Sequence, residues 1–183
     1  KNLMELELVE KVFSFDTEGK ANTQKGIYRI GNHFVHFYFR FLYPNRSALA
    51  LMSADEFYEK NIQFSFKNFA ALYFNEICKQ RIEKWNREEK LPIAIDRIGE
   101  WVGKSGNIDV VAQDENGRTL AAYCNWEKSV MQYGDYEKLL SSMGKAKLKA
   151  DMIYLFSIQR FDEKLSLEAK MKKNLKLISL EDM

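Results

Sequence analysis

The chain has 183 residues, 46% of them hydrophobic and 14% aromatic, with a net charge of +2. That is enough apolar content for one ordinary core, which excludes wholesale disorder, and too little net charge to imply nucleic acid by itself. Two cysteines make neither a disulfide framework nor a zinc pattern and suit a reducing, cytoplasmic setting. No apolar run approaches the ~20 residues of a membrane span, so no membrane partner is expected. The first residue is Lys1, and the chain reads as a piece of a longer protein.

Residues 1–8 read as a helix end. V-E-K-V-F-S-F and K-G-I-Y-R-I then flank a polar stretch holding Asp16, Gly19 and Asn22, the pattern of a hairpin. A helix end followed by a hairpin is how a winged helix finishes, so residues 1–30 are expected to be the C-terminal remnant of one, with residues 31–60 a helical connector. F-V-H-F-Y-F-R-F-L-Y-P fits both a helical and an alternating period, and Asn32 as N-cap with Pro44 as stop favours helix. His33 and His36 lie here without a cysteine or carboxylate nearby, as structural rather than ligating residues.

Phe66, Phe69, Ala70, Tyr73, Ile77 and Trp85 form one stripe, predicting a helix over 65–90. Three strands are expected at 93–102, 107–113 and 118–126, joined by the turn sequences G-K-S-G and D-E-N-G as an antiparallel meander. A helix at 132–144, a buried strand M-I-Y-L-F-S-I, a lysine-rich helix at 165–173 and a short strand L-K-L-I-S-L complete the chain. Residues 138–176 hold ten basic against four acidic side chains, a local +6, which suits either phosphate contact or a solvated face.

The order helix, three-strand meander, helix, strand resembles the α/β core of the restriction-endonuclease-like, PD-(D/E)XK superfamily, over residues 61–183. Several stretches are similar to one branch, the C-terminal domain of archaeal-type AAA (DEXX-box) ATPases. They are K-G-I-Y-R-I, F-Y-F-R-F-L-Y-P-N (37–45), F-N-E-I-C (74–78), I-G-E-W (98–101), I-D-V-V-A (108–112) and C-N-W (124–126). The resemblance implies a role beside an upstream ATPase module of the same chain. No Walker A sequence occurs here, so ATP would bind in that module.

Active relatives of this type hold Mg²⁺ between an acid on the first helix, one on the second strand and one on the third strand. A lysine two residues beyond the third-strand acid shares its face. Those positions fall on Asn75, Asp109, Tyr123 and Asn125, so only Asp109 keeps its carboxylate. One carboxylate is too few for a catalytic Mg²⁺, and a neutral amide cannot stabilise an anionic transition state as ammonium does. The expectation is a degenerate nuclease-like domain with no catalytic residues, no metal and no cofactor of its own. Asp109 is either a remnant of that site or a residue bonding a turn.

Non-specific DNA is the expected partner, contacted by Lys145, Lys147 and Lys149, with possible oligomerisation through the full-length protein. Two rivals stand beside it. One is a nuclease with a migrated site built from Glu76, Asp109 and Glu100 or Glu127. The other is a docking or oligomerisation module that touches no nucleic acid.

Overall fold

The computed structural model describes residues 2–17, 26–104, 106–126 and 129–183, and it divides into two compact units. The first comprises residues 1–13 and 17–70; the second comprises residues 14–16 and 71–183.

In the first unit a short helix α1 (Asn2–Glu5) precedes an antiparallel pair, β1 (Val9–Phe13) and β2 (Gly26–Ile30). Arg29 Nε donates to Glu10 Oε1 across that pair. The polar tip holding Gly19 and Asn22 lies outside the described residues. Asn32 Oδ1 then accepts from Val35 N at 3.0 Å, which opens α2 (His33–Phe37) as the N-cap expectation required. Pro44 does not stop this segment. Helix α2 runs through a π-helical turn (Tyr38–Leu42) into a 3-10 turn (Tyr43–Asn45), where proline takes an early position whose N–H needs no partner. Two more helices follow, α3 (Arg46–Leu51) and α4 (Ala54–Asn61), the latter capped by Ser53. Phe41, Phe57 and Ile62 form a small core, with Phe37 and Phe69 packed around it. His36 packs against Phe69 with tilted rings, 5.1 Å between centroids.

The long helix α5 (Gln63–Arg87) begins in the first unit, and from Ala71 onward it belongs to the second. Phe74, Cys78 and Ile82 recur every four residues and are all but fully buried. Phe74 and Ile82 each contribute about 1.5–3 kcal/mol when taken out of water. Asn86 then clamps the incoming strand, donating to Ile95 O and accepting from Ile95 N.

The meander follows as β3 (Arg97–Gly103), β4 (Gly106–Gln113) and β5 (Thr119–Asn125), antiparallel throughout. At the D-E-N-G turn, Gly117 takes φ +82°, open to glycine at little cost. Asp114 accepts from Asn116 N, Arg118 N and Arg118 Nε, which fixes the turn. A two-residue strand β6 (Val130–Met131) precedes α6 (Tyr133–Ala146). Then come β7 (Met152–Ser157), β8 (Arg160–Phe161), α7 (Glu163–Met171) and β9 (Leu175–Ser179).

The main sheet has the order β3-β4-β5-β7-β9, with β7 and β9 parallel to β5, so it is a mixed sheet in an α/β domain. One face carries Val110, Ala112, Leu120, Ala122, Tyr154 and Phe156 against α5. The other carries Val111, Ala121, Ile153 and Leu155 against Tyr136, Leu139 and Met143 of α6 and Leu165 of α7. Strand β7 is buried along its whole length, as its unbroken apolar run requires. The β6–β8 ladder forms a separate parallel pair that apolar patterning does not reveal.

The two edges of the main sheet differ. Ser14–Asp16 lines the β3 edge: Phe15 N donates to Glu100 O (2.7 Å), and Val102 N donates to Ser14 Oγ (3.0 Å). Arg97 adds a bond to Phe15 O and sits over its ring, 3.8 Å from the centroid. The opposite edge is β9.

Candidate functional site

The register of β3 on β4 shifts beside Asp109. Gly99 pairs with Val111, yet Trp101 pairs with Ile108, so Glu100 alone faces two residues, Asp109 and Val110. This is a β-bulge, which bends a strand and re-aims a side chain. Its effect is visible in the cores. Ile108 packs on the α6 side and Val110 on the α5 side, although strict alternation would put both on one face. The extra residue is Asp109, and its carboxylate meets the α5 side.

There it meets a set of neutral donors. Cys124 N donates to Asp109 Oδ2 at 2.8 Å, and the Asn75 amide on α5 bonds the same carboxylate. Desolvation by burial pushes the Asp109 carboxyl up to about 6; the bonds from Cys124 and Asn75 oppose that shift, and the charge on Glu100 adds to it. Three residues after Asn75, one turn along α5, lies the buried Cys78. Both cysteines are free, and the Cys124 thiol bonds that of Cys78. Burial pushes the Cys124 thiol well up, reinforced by Cys78 and Asp109, so it is a protonated, unreactive group.

Asn75 and Asp109 are therefore brought together. Asn125 sits at the end of β5, almost fully buried, with Nδ2 at 3.5 Å from Ser157 Oγ on β7. Tyr123 packs against the α6-side cluster, across the sheet from Cys124. Of the migrated set, Glu76 accepts from Gln80 along α5, and its charge adds to the burial that raises the Tyr73 hydroxyl. Glu100 acts on Asp109 through its charge, and Glu127 lies outside the described residues.

This donor set does not fit a catalytic Mg²⁺. The Asp109 carboxylate is engaged by an amide side chain and a backbone N–H, and neither Tyr123 nor Asn125 supplies a carboxylate beside it. Among the described residues, no group of three or more His, Cys, Asp or Glu side chains could hold a metal ion.

Lys145, Lys147 and Lys149 are all exposed. Lys145 is in the last turn of α6, and Lys147 is its left-handed C-cap (φ 54°), with N–H bonds to Gly144 O and Met143 O. All three precede Met152, which pairs with Leu120, whereas Asn125 pairs with Ser157. The lysines thus approach the sheet at the end where β5 and β7 begin, away from Asn125. Among the described residues, no helix is long and apolar enough to cross a membrane.

A family model, DUF234, described as archaeal and bacterial proteins of unknown function, matches residues 38–139. An uncharacterized protein of Methanocaldococcus jannaschii, MJECL04, is 26% identical over 182 residues. The alignment covers 88% of this chain and 40% of that relative, so the chain spans well under half of the relative's length. No solved structure matches. Because the matched segment exceeds half of the chain, the chain belongs to the DUF234 family.

Proposed function

We propose that this member of the DUF234 family is a nuclease-like accessory domain whose catalytic site has degenerated, attached to an AAA-type ATPase. One observation carries the reading. A bulge delivers Asp109, the one acid that β4 and β5 hold, to the long helix, where relatives with an intact motif would place a second acid, and here it meets the amide of Asn75. The meander followed by α6 and a parallel β7 supports the restriction-endonuclease-like assignment. The much greater length of the M. jannaschii relative leaves room for an ATPase module, as the resemblance in sequence implies. The role of the domain is then contact, with nucleic acid or with the ATPase itself, rather than cleavage.

Calorimetric titration with Mg²⁺ and Mn²⁺, beside incubation with supercoiled plasmid, tests this. The expected result is no nicking and no saturable site tighter than about millimolar, as one engaged carboxylate allows. Micromolar binding accompanied by nicking, both abolished by Asp109→Ala, would overturn it in favour of the migrated site built from Glu76, Asp109 and Glu100 or Glu127.

A further inference from the structure

A groove of about 640 Å³ opens along the β9 edge of the second unit. Its size suits a small organic molecule. Trp85, Leu91 and Leu177 give it apolar walls, while Lys170 and Lys176 bring positive charge. Tyr154, another lining residue, is only 2% exposed, and its hydroxyl has no hydrogen-bond partner.

That hydroxyl is the informative atom. Its neighbours along β7 on the same face, Met152 and Phe156, are apolar, and phenylalanine would pack there as well. A buried donor without an acceptor is a cost that native proteins rarely leave standing. Lys176 pairs with Tyr154 across the ladder and holds its ammonium 5.5 Å from the tyrosine ring centroid. Neither Lys170 nor Lys176 makes an ion pair among the described residues. Asp182 also lines the groove, but its Oδ2 accepts from both Ser179 N and Ser179 Oγ. A buried donor without an acceptor and two lysines without an ion pair therefore line one groove, beside an Asp182 carboxylate already engaged by Ser179.

We propose that this groove binds a small planar organic anion. Its carboxylate or phosphate is held by the Tyr154 hydroxyl and the Lys176 ammonium, and its body lies against Trp85 and Leu91 on the same face of the sheet. The inference is independent of the nuclease-like reading, since no residue is shared with the Asn75–Asp109 site.

The test is calorimetric titration of the chain with naphthoate, naphthyl phosphate and uncharged naphthamide. At least one anion should bind saturably, and the tighter of the two identifies the headgroup. Naphthamide should bind at least about tenfold more weakly, because a hydrogen bond to a charged group is worth that much. Tyr154→Phe should weaken the anion about tenfold. It should leave the thermal midpoint undiminished, since the hydroxyl has no bond to lose. Lys176→Met should weaken the anion as well. Equal affinity for naphthamide would overturn the proposal, and so would no saturation by either anion. A Tyr154→Phe variant that melts earlier yet binds the anion unchanged would also overturn it.

Discussion

Asp109 is the residue on which the character of the candidate site turns. Its folded carboxyl titrates at about 6, against about 3.9 for an unperturbed aspartate. A folded state that holds the proton more tightly than the unfolded chain loses stability as pH rises through that window. Its contribution is greatest below about pH 4 and gone above about pH 6, a span worth roughly 3 kcal/mol. Asp114 and Asp182 have the opposite sign. For Asp114, burial pushes its carboxyl up but the bonds from Arg118 and Asn116 outweigh it, while Ser179 holds Asp182 low. Both therefore lose their contribution on acidification. Asp109→Asn keeps an acceptor for Cys124 N–H and removes the titration. Urea denaturation at a series of pH values should show the variant gaining on the parent between about pH 4 and 6, and exceeding it at neutral pH by up to roughly 3 kcal/mol. A difference independent of pH would mean that the carboxyl is not desolvated. Both Asp109 and the neutral residue at 75 were legible as letters, through the resemblance of F-N-E-I-C and I-D-V-V-A. The bulge that unites them was not, because the extra residue shows only once β3 and β4 are paired.

At the scale of elements, a single carboxylate starts two helices. Asp162 is the N-cap of α7, with Oδ1 accepting from Leu165 N at 2.6 Å, and its Oδ2 accepts from Tyr133 N at 2.8 Å, the first residue of α6. Capping acceptors are worth about 1 kcal/mol each, and a carboxylate also favours the positive end of a helix dipole. Asp162→Ala should therefore cost about 2 kcal/mol, read by chemical denaturation. A loss under about 0.5 kcal/mol would mean that water replaces both bonds. Such a cap ties elements that lie far apart in sequence, so apolar periodicity predicts α6 and α7 but not their shared acceptor. The same periodicity found β4, β5, β7 and β9 to within a residue and α5 to within three, while β3 begins four residues later than expected. It missed β6 and β8, which are too short for any pattern, and it took Pro44 as a stop where the chain turns through it. Proline lacks only an N–H, and the first residues of a helical turn do not use theirs.

For the whole molecule, charge is unevenly spread, with +6 over residues 138–176 and −4 elsewhere. The proposed contribution to nucleic-acid contact rests on Lys145, Lys147 and Lys149, exposed around the C-terminus of α6. Ammonium groups on flexible stems meet phosphates without reading bases. Duplex DNA should bind without sequence preference, with a dissociation constant of order 10⁻⁴–10⁻⁶ M at physiological salt. Replacing all three by alanine should reduce the salt slope by up to about 3, measured by fluorescence anisotropy at several salt concentrations. An unchanged slope would move the contact elsewhere. No binding at low salt would leave docking to the ATPase as the role of the domain. The lysines could be picked from the sequence as a run. The groove at β9 could not, because Trp85, Tyr154, Lys170 and Lys176 come from four different elements and only the sheet order assembles them.

The strip Ser14–Asp16 that lines β3 bears on the order in which the protein can complete itself. Its bonds to Val102 and Arg97 span 88 and 82 residues of sequence. Closing a loop that long costs little more than closing one half its length, but it is slow relative to hairpin formation. During synthesis from the N-terminus this strip emerges early and waits for β3, so the meander can form with one side bare. A chain trimmed to begin after residue 16 would keep all five strands of the main sheet and never acquire that border. Its exposed backbone groups would then be offered to the β3 of another copy, and the shortened protein should self-associate edge to edge at concentrations where the longer one stays dispersed.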